Sequence, residues 1–102
     1  DQLPESDIQK KKIINYVKAY QKKFNREPGT MVAYGADAAF IVVNAIKNVG
    51  PNRAKIRDAI ENTKGYVGLS GIYNISSKDH NGLSMEDIVM IKATKGGWKL
   101  LQ

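Results

Sequence analysis

The chain has one histidine, His80, and it stands in the stretch "YNISSKDHNGL" (residues 73–83) between Asp79 and Asn81. Three kinds of chemistry could use such a cluster. As a calcium loop, with Gly82 set on the obligatory glycine, Ser77, Asp79 and Asn81 fall at the first, third and fifth positions and Ile88 at the twelfth. The two most important carboxylates are then missing. A zinc site fares no better, because a catalytic zinc takes three protein ligands and the chain offers no second histidine and no cysteine. A serine–histidine–acid triad would draw on Ser76, Ser77 or Ser84. Neighbours on one turn rarely reach the required geometry, however, and nothing suggests an oxyanion hole. The stretch is expected to be a turn, with Asp79 and Asn81 bonding their own backbone and Gly82 in left-handed geometry.

Asp37 is the second candidate. It shares the run from Met31 to Ile46 with only one other strongly polar residue, Asn44. A carboxylate one turn inside a helix serves the positive N-terminal end of the helix dipole, or else faces a cleft and binds a ligand group. Tyr34 and Phe40, on the same run, are core residues or pocket residues. Trp98 is expected to pack over a small sheet; a nucleic-acid stacking role would need exposed aromatic neighbours and a basic groove.

These residues sit on a chain of 102 residues, which suits one domain or a piece of one. With 42% hydrophobic and 25% charged residues it is composed like a globular protein. The longest apolar run, "AAFIVVNAI" (38–46), is too short for a membrane span. Absence of cysteine removes disulfides, thiol catalysis and thiolate metal sites. Nothing calls for a cofactor or a metal. The net charge of +6 would attract nucleic acid, but the lysines are scattered along solvated helix faces, so no nucleic-acid partner is expected.

The spacing predicts a first helix over 7–24, with Ser6 and Gln9 as a capping box and Ile13, Tyr16, Val17, Tyr20 and Phe24 as its apolar stripe. Pro28 and Gly29 should stop it. A second helix is expected over 31–49, capped by Thr30 and ended by Gly50 and Pro51, and a third over 53–62 behind Asn52. The second is apolar nearly all round, so it wants neighbours on most sides. One hundred residues scarcely supply them, which points to cover from other polypeptide. Glycine-punctuated 63–71 reads as an irregular strand or crossover. Strands are expected over 71–76, 86–94 and 97–101, with "KGGW" as a hairpin turn.

Three blocks taken in order carry a family resemblance: "YVKAYQKKFNREPGTMVAYGADAAFIVVNAIKNVG" (16–50), "IRDAIENTKGYVGLSGIYNISSKDHNGL" (56–83) and "DIVMIKATKGGWKL" (87–100). They resemble the C-terminal part of type I periplasmic solute-binding proteins, the leucine/isoleucine/valine-binding family of ABC importers. The resemblance implies an α/β fold, part of a two-lobed clamshell, with three helices followed by a short antiparallel hairpin region. Residues 1–102 would then be a C-terminal segment, helical over 7–62 and crossover plus hairpin over 66–102. It implies a non-enzymatic receptor that closes on a small solute (an amino acid or aromatic acid) and delivers it to a membrane permease, in the periplasm or outside the cell. Partners would be that permease and the rest of the polypeptide. By position, Tyr34, Ala36 and Asp37 would line the cleft, Ala36 standing where members often carry an aromatic. The alternatives are a small basic nucleic-acid-binding domain and a module that homodimerises through the second helix.

Overall fold

The computed structural model describes residues 2–101. Its first helix, α1, runs Lys10–Phe24. Ser6 and Gln9 do not form the expected capping box. Asp7 takes the role instead, its Oδ1 accepting from the Gln9 and Lys10 backbone N–H groups at 2.8 and 3.2 Å. A carboxylate at the positive end of the helix out-competes a hydroxyl one residue earlier. The Gln9 side chain is thereby free to reach another element. The stop is Asn25, in left-handed geometry with its N–H on the Gln21 carbonyl, so α1 has ended before Pro28 acts.

The second helix, α2, spans Thr30–Val49. Thr30 is its first helical residue and not its cap; Gly29 holds the cap position without a side chain to contribute. Gly50, at φ +77°, closes the other end by donating to the Ile46 carbonyl. A third helix, α3, covers Arg53–Glu61, and Asn52 caps it through Oδ1 and the Lys55 N–H at 3.0 Å. Ile56, Ala59 and Ile60 form its half-buried edge, and α2 packs against α3.

After α3 the chain forms a short ladder. Strand β1 (Tyr66–Val67) pairs antiparallel with β2 (Ile72–Tyr73), and the Gly68 N–H donates to the Gly71 carbonyl at 2.8 Å to close the turn between them. The strand expected over 86–94 begins late. Ser84 and Asp87 cap each other around a 3-10 turn, Met85–Asp87, so pairing starts only at β3 (Ile91–Thr94). Its partner β4 (Gly97–Leu100) returns in register, Ile91 opposite Leu100 and Ala93 opposite Trp98.

The core is small: Ile41 and Ala45 of α2 with Leu69 and Ile75. Much of α2 stays uncovered. Met31 is 78% exposed, Phe40 47% and Val43 44%, on different sides of the helix. Its 20 residues are long and apolar enough to cross a membrane by length and composition, a wider apolar span than the run 38–46 suggested. Trp98 is expected over the sheet but lies 67% exposed. A two-stranded ribbon has no layer behind it for an indole to cover.

Candidate functional site

The six residues from Val67 to Ile72 cross between the helices and the hairpin, and side chains from three elements grip their backbone. From α2, both Asp37 oxygens accept from the Leu69 N–H, at 2.7 and 2.9 Å, and Oδ2 also accepts from the Ser70 N–H at 2.9 Å. From the start of α1, Gln9 Nε2 donates to the Gly68 carbonyl at 2.9 Å, and Lys12 Nζ donates to the Val67 carbonyl. From the 3-10 turn, Asp87 Oδ1 accepts from the Ile72 N–H at 2.7 Å, while Oδ2 accepts from the Ser84 N–H at 2.7 Å. Lys12 also lies over the Tyr66 ring, 4.4 Å from its centroid. A crossover with so short a ladder cannot satisfy its own backbone, so polar side chains from neighbouring elements do.

Asp37 is 0% exposed, the one fully buried charged side chain among the described residues. Its carboxylate does not serve the N-terminus of its own helix and does not open on a cavity; its oxygens are taken up by the crossover. Close approach is part of this arrangement, since a Cβ built at Gly68 would stand 2.7 Å from the Tyr73 ring and 2.8 Å from Asp37 Oδ2. The Tyr73 hydroxyl donates to Asp37 Oδ2 at 3.4 Å. Burial, then the nearby Asp37 charge, raises the Tyr73 phenol above its usual range. Asp87 goes the other way: the Ser84 and Ile72 N–H bonds hold its carboxyl below the usual range.

Tyr34, Ala36 and Asp37 do not act on one face. Tyr34 and Asp37 are one turn apart and meet at Tyr73, whereas Ala36 lies on the opposite side, about 160° round from Tyr34. Tyr34 is exposed and walls a hollow of about 240 Å³, together with Val42, Ile60, Tyr73, Ile75 and His80. Ala36 is half-buried and lines no part of it.

The stretch 73–83 folds as the turn its residues prescribe. Ser76 Oγ accepts from the Asp79 N–H at 3.1 Å, and Asp79 Oδ1 accepts from the Asn81 N–H at 2.9 Å. Gly82 has φ +71°. His80 leaves the turn and meets Glu61 of α3, Nε2 to Oε1 at 3.1 Å. Arg57 reaches the same carboxylate at 3.0 Å, and chiefly through that bond Glu61 is held below its ordinary range. Among the described residues no three His, Asp or Glu side chains converge as metal ligands. The sequence marks Gln9 only as a capping partner of Ser6 and does not single out Lys12 or Asp87 for this role. Of the latter two, only Asp87 carried a local signal there, the Ser84-x-x-Asp87 capping pattern.

A family model described as periplasmic binding protein matches residues 3–97. Solved structures are similar over nearly the whole chain. Two are extracellular ligand-binding receptors from Rhodopseudomonas palustris, 21% and 19% identical, each with a TM-score of 0.79 over 98% of this chain. A leucine binding protein, LivK, from Thermotoga maritima is 30% identical, with a TM-score of 0.70 over 95% of this chain. The chain spans only 30% of the two receptors' length and 26% of the leucine binding protein's. Its fold is therefore part of a larger two-lobed one. No curated protein matches the chain.

Proposed function

The chain belongs to the periplasmic binding protein family, and from that premise we propose that the polypeptide carrying it is a non-enzymatic solute receptor outside the cytoplasmic membrane. On this reading residues 1–102 are a C-terminal segment, helical over 7–62, with the crossover and hairpin over 66–102. The receptor closes by hinge motion on a small amino acid, aromatic acid or related carboxylate and hands it to the permease of an ABC importer.

One observation carries the proposal: α2 is apolar on almost every side, yet Met31, Phe40 and Val43 stand exposed among these residues. Such a helix is built to lie within a larger body of polypeptide. The similar receptors, more than three times longer, supply a fold in which it would be enclosed. Tyr34 is then a wall residue of the solute cleft, whereas Ala36, about 160° round α2 from it, faces away from that wall. Asp37 sets the position of Tyr34, because it locks the first turns of α2 to the crossover.

The test is calorimetric titration of the complete polypeptide with amino acids and aromatic carboxylates. A saturable solute is expected, with Tyr34→Ala weakening it by about tenfold or more. No binding across the panel, or turnover of any compound, would overturn the proposal. If sedimentation instead finds a stable dimer that Phe40→Asp dissociates, α2 is covered by a second copy and the homodimer takes its place.

A further inference from the structure

The outer edge of α3 and the turn 75–80 enclose a hollow of about 380 Å³ that Tyr34 and Ala36 do not touch. Its floor is apolar: Ile56 and Ile60 from α3, and the buried Ile75. Its rim is charged, carrying Arg53, Arg57, Glu61 and His80. Glu61 is the only acid there, and it is already engaged by Arg57 at 3.0 Å and by His80 at 3.1 Å. The Arg53 side chain makes no ion pair and no hydrogen bond among the described residues. The rim therefore presents one unengaged guanidinium above an isoleucine floor, with its single carboxylate already neutralised.

That combination selects a definite chemistry. A guanidinium offers a planar fork of donors that matches a carboxylate in two parallel bonds, better than any neutral group does. The isoleucines reward a ligand that brings apolar surface with its charge. A hollow at the small end of ligand-binding volumes, about 300 Å³ and upward, suits a small organic acid and not a nucleotide or peptide. We propose that this hollow is an accessory binding site for a small carboxylate with an aryl or short aliphatic body. The carboxylate pairs with Arg53 and the body lies over Ile56, Ile60 and Ile75. It adjoins the hollow walled by Tyr34, sharing Ile60, Ile75 and His80 with it, but Arg53, Ile56, Arg57 and Glu61 line this hollow and not the other.

The experiment is methyl NMR of the complete polypeptide, labelled at isoleucine and titrated with phenylacetate, with phenylacetamide as the uncharged probe. The Ile56, Ile60 and Ile75 methyl signals are expected to move saturably with phenylacetate. Phenylacetamide, and phenylacetate on R53Q, should bind about tenfold more weakly, the equivalent of one charge-assisted bond. Ile60 and Ile75 border the hollow at Tyr34 as well, so Ile56, which lines only this one, separates the two: Tyr34→Ala should leave the Ile56 titration unchanged while R53Q weakens it. Absence of a saturable shift up to about 10 mM overturns the proposal. So does equal affinity for the amide, or an R53Q titration that matches wild type.

Discussion

Replacing Asp37 should open the crossover. Its carboxylate is 0% exposed and accepts from the N–H groups of Leu69 and Ser70 at 2.7–2.9 Å. Asp37→Ala strands both donors, and each buried unsatisfied N–H costs about 1–3 kcal/mol. With the charge-assisted bonds lost as well, a total of about 3–5 kcal/mol is expected, a large share of the roughly 5–15 kcal/mol that holds a domain together. Asp37→Asn keeps the shape and one acceptor, but turns an amide NH2 toward the Ser70 donor, so about 2–3 kcal/mol is expected. The assay is urea unfolding of the complete polypeptide followed by circular dichroism, paired with amide exchange at Leu69 and Ser70. The alanine variant should move the midpoint by about 1–2 M, and both amides should lose protection while α3 keeps its own. A stability change within about 1 kcal/mol, with Leu69 and Ser70 still protected, would show that the carboxylate is not what holds the crossover.

Other consequences are independent of that clamp. Asp87 is held below the ordinary carboxylate range by the Ser84 and Ile72 N–H groups, so its folded pKa lies under its unfolded value of about 3.9. Its contribution is complete above that value and fades as pH falls through the folded pKa; Asp87→Asn should therefore flatten the acid limb of a thermal-stability profile below about pH 4. Val43→Asp separates an exposed face from a covered one: buried against further polypeptide it should cost about 3 kcal/mol or more in the complete protein, whereas a solvated position would register within about 0.5 kcal/mol in the same denaturation. Gly82→Ala must place a Cβ at φ +71° and 2.7 Å from Ile75 Cγ1, so a loss of about 2–4 kcal/mol is expected in thermal melts.

The local chemistry of the chain accounts for much of what forms. Asn52 caps α3 as its side chain dictates, and the turn 73–83 closes through Ser76 and Asp79 as expected of Asx and serine turns. Misplaced ends trace to competition between adjacent signals. Asp7 displaced Ser6 at α1, Asn25 stopped that helix ahead of Pro28, and Ser84 with Asp87 claimed the first residues of what reads as strand. Each of these choices was present in the sequence, but neighbouring candidates differ by about 1 kcal/mol, so the pattern alone does not rank them.

Sequence by itself determined the apolar character of α2, and with it the need for cover from outside these residues, because hydrophobicity is a property of side chains and needs no partner to be read. It also limited His80 to a turn, since no second ligand type exists to join it. Only the tertiary structure decided what Asp37 is for. Its partners, Leu69 and Ser70, stand 32 and 33 residues away, and whether a carboxylate meets a solute or a backbone depends on which segment the fold brings against it. The same holds for Glu61, whose neighbour His80 arrives from a turn 19 residues on. Contacts between distant segments are set by packing the whole chain at once, and no local pattern encodes them.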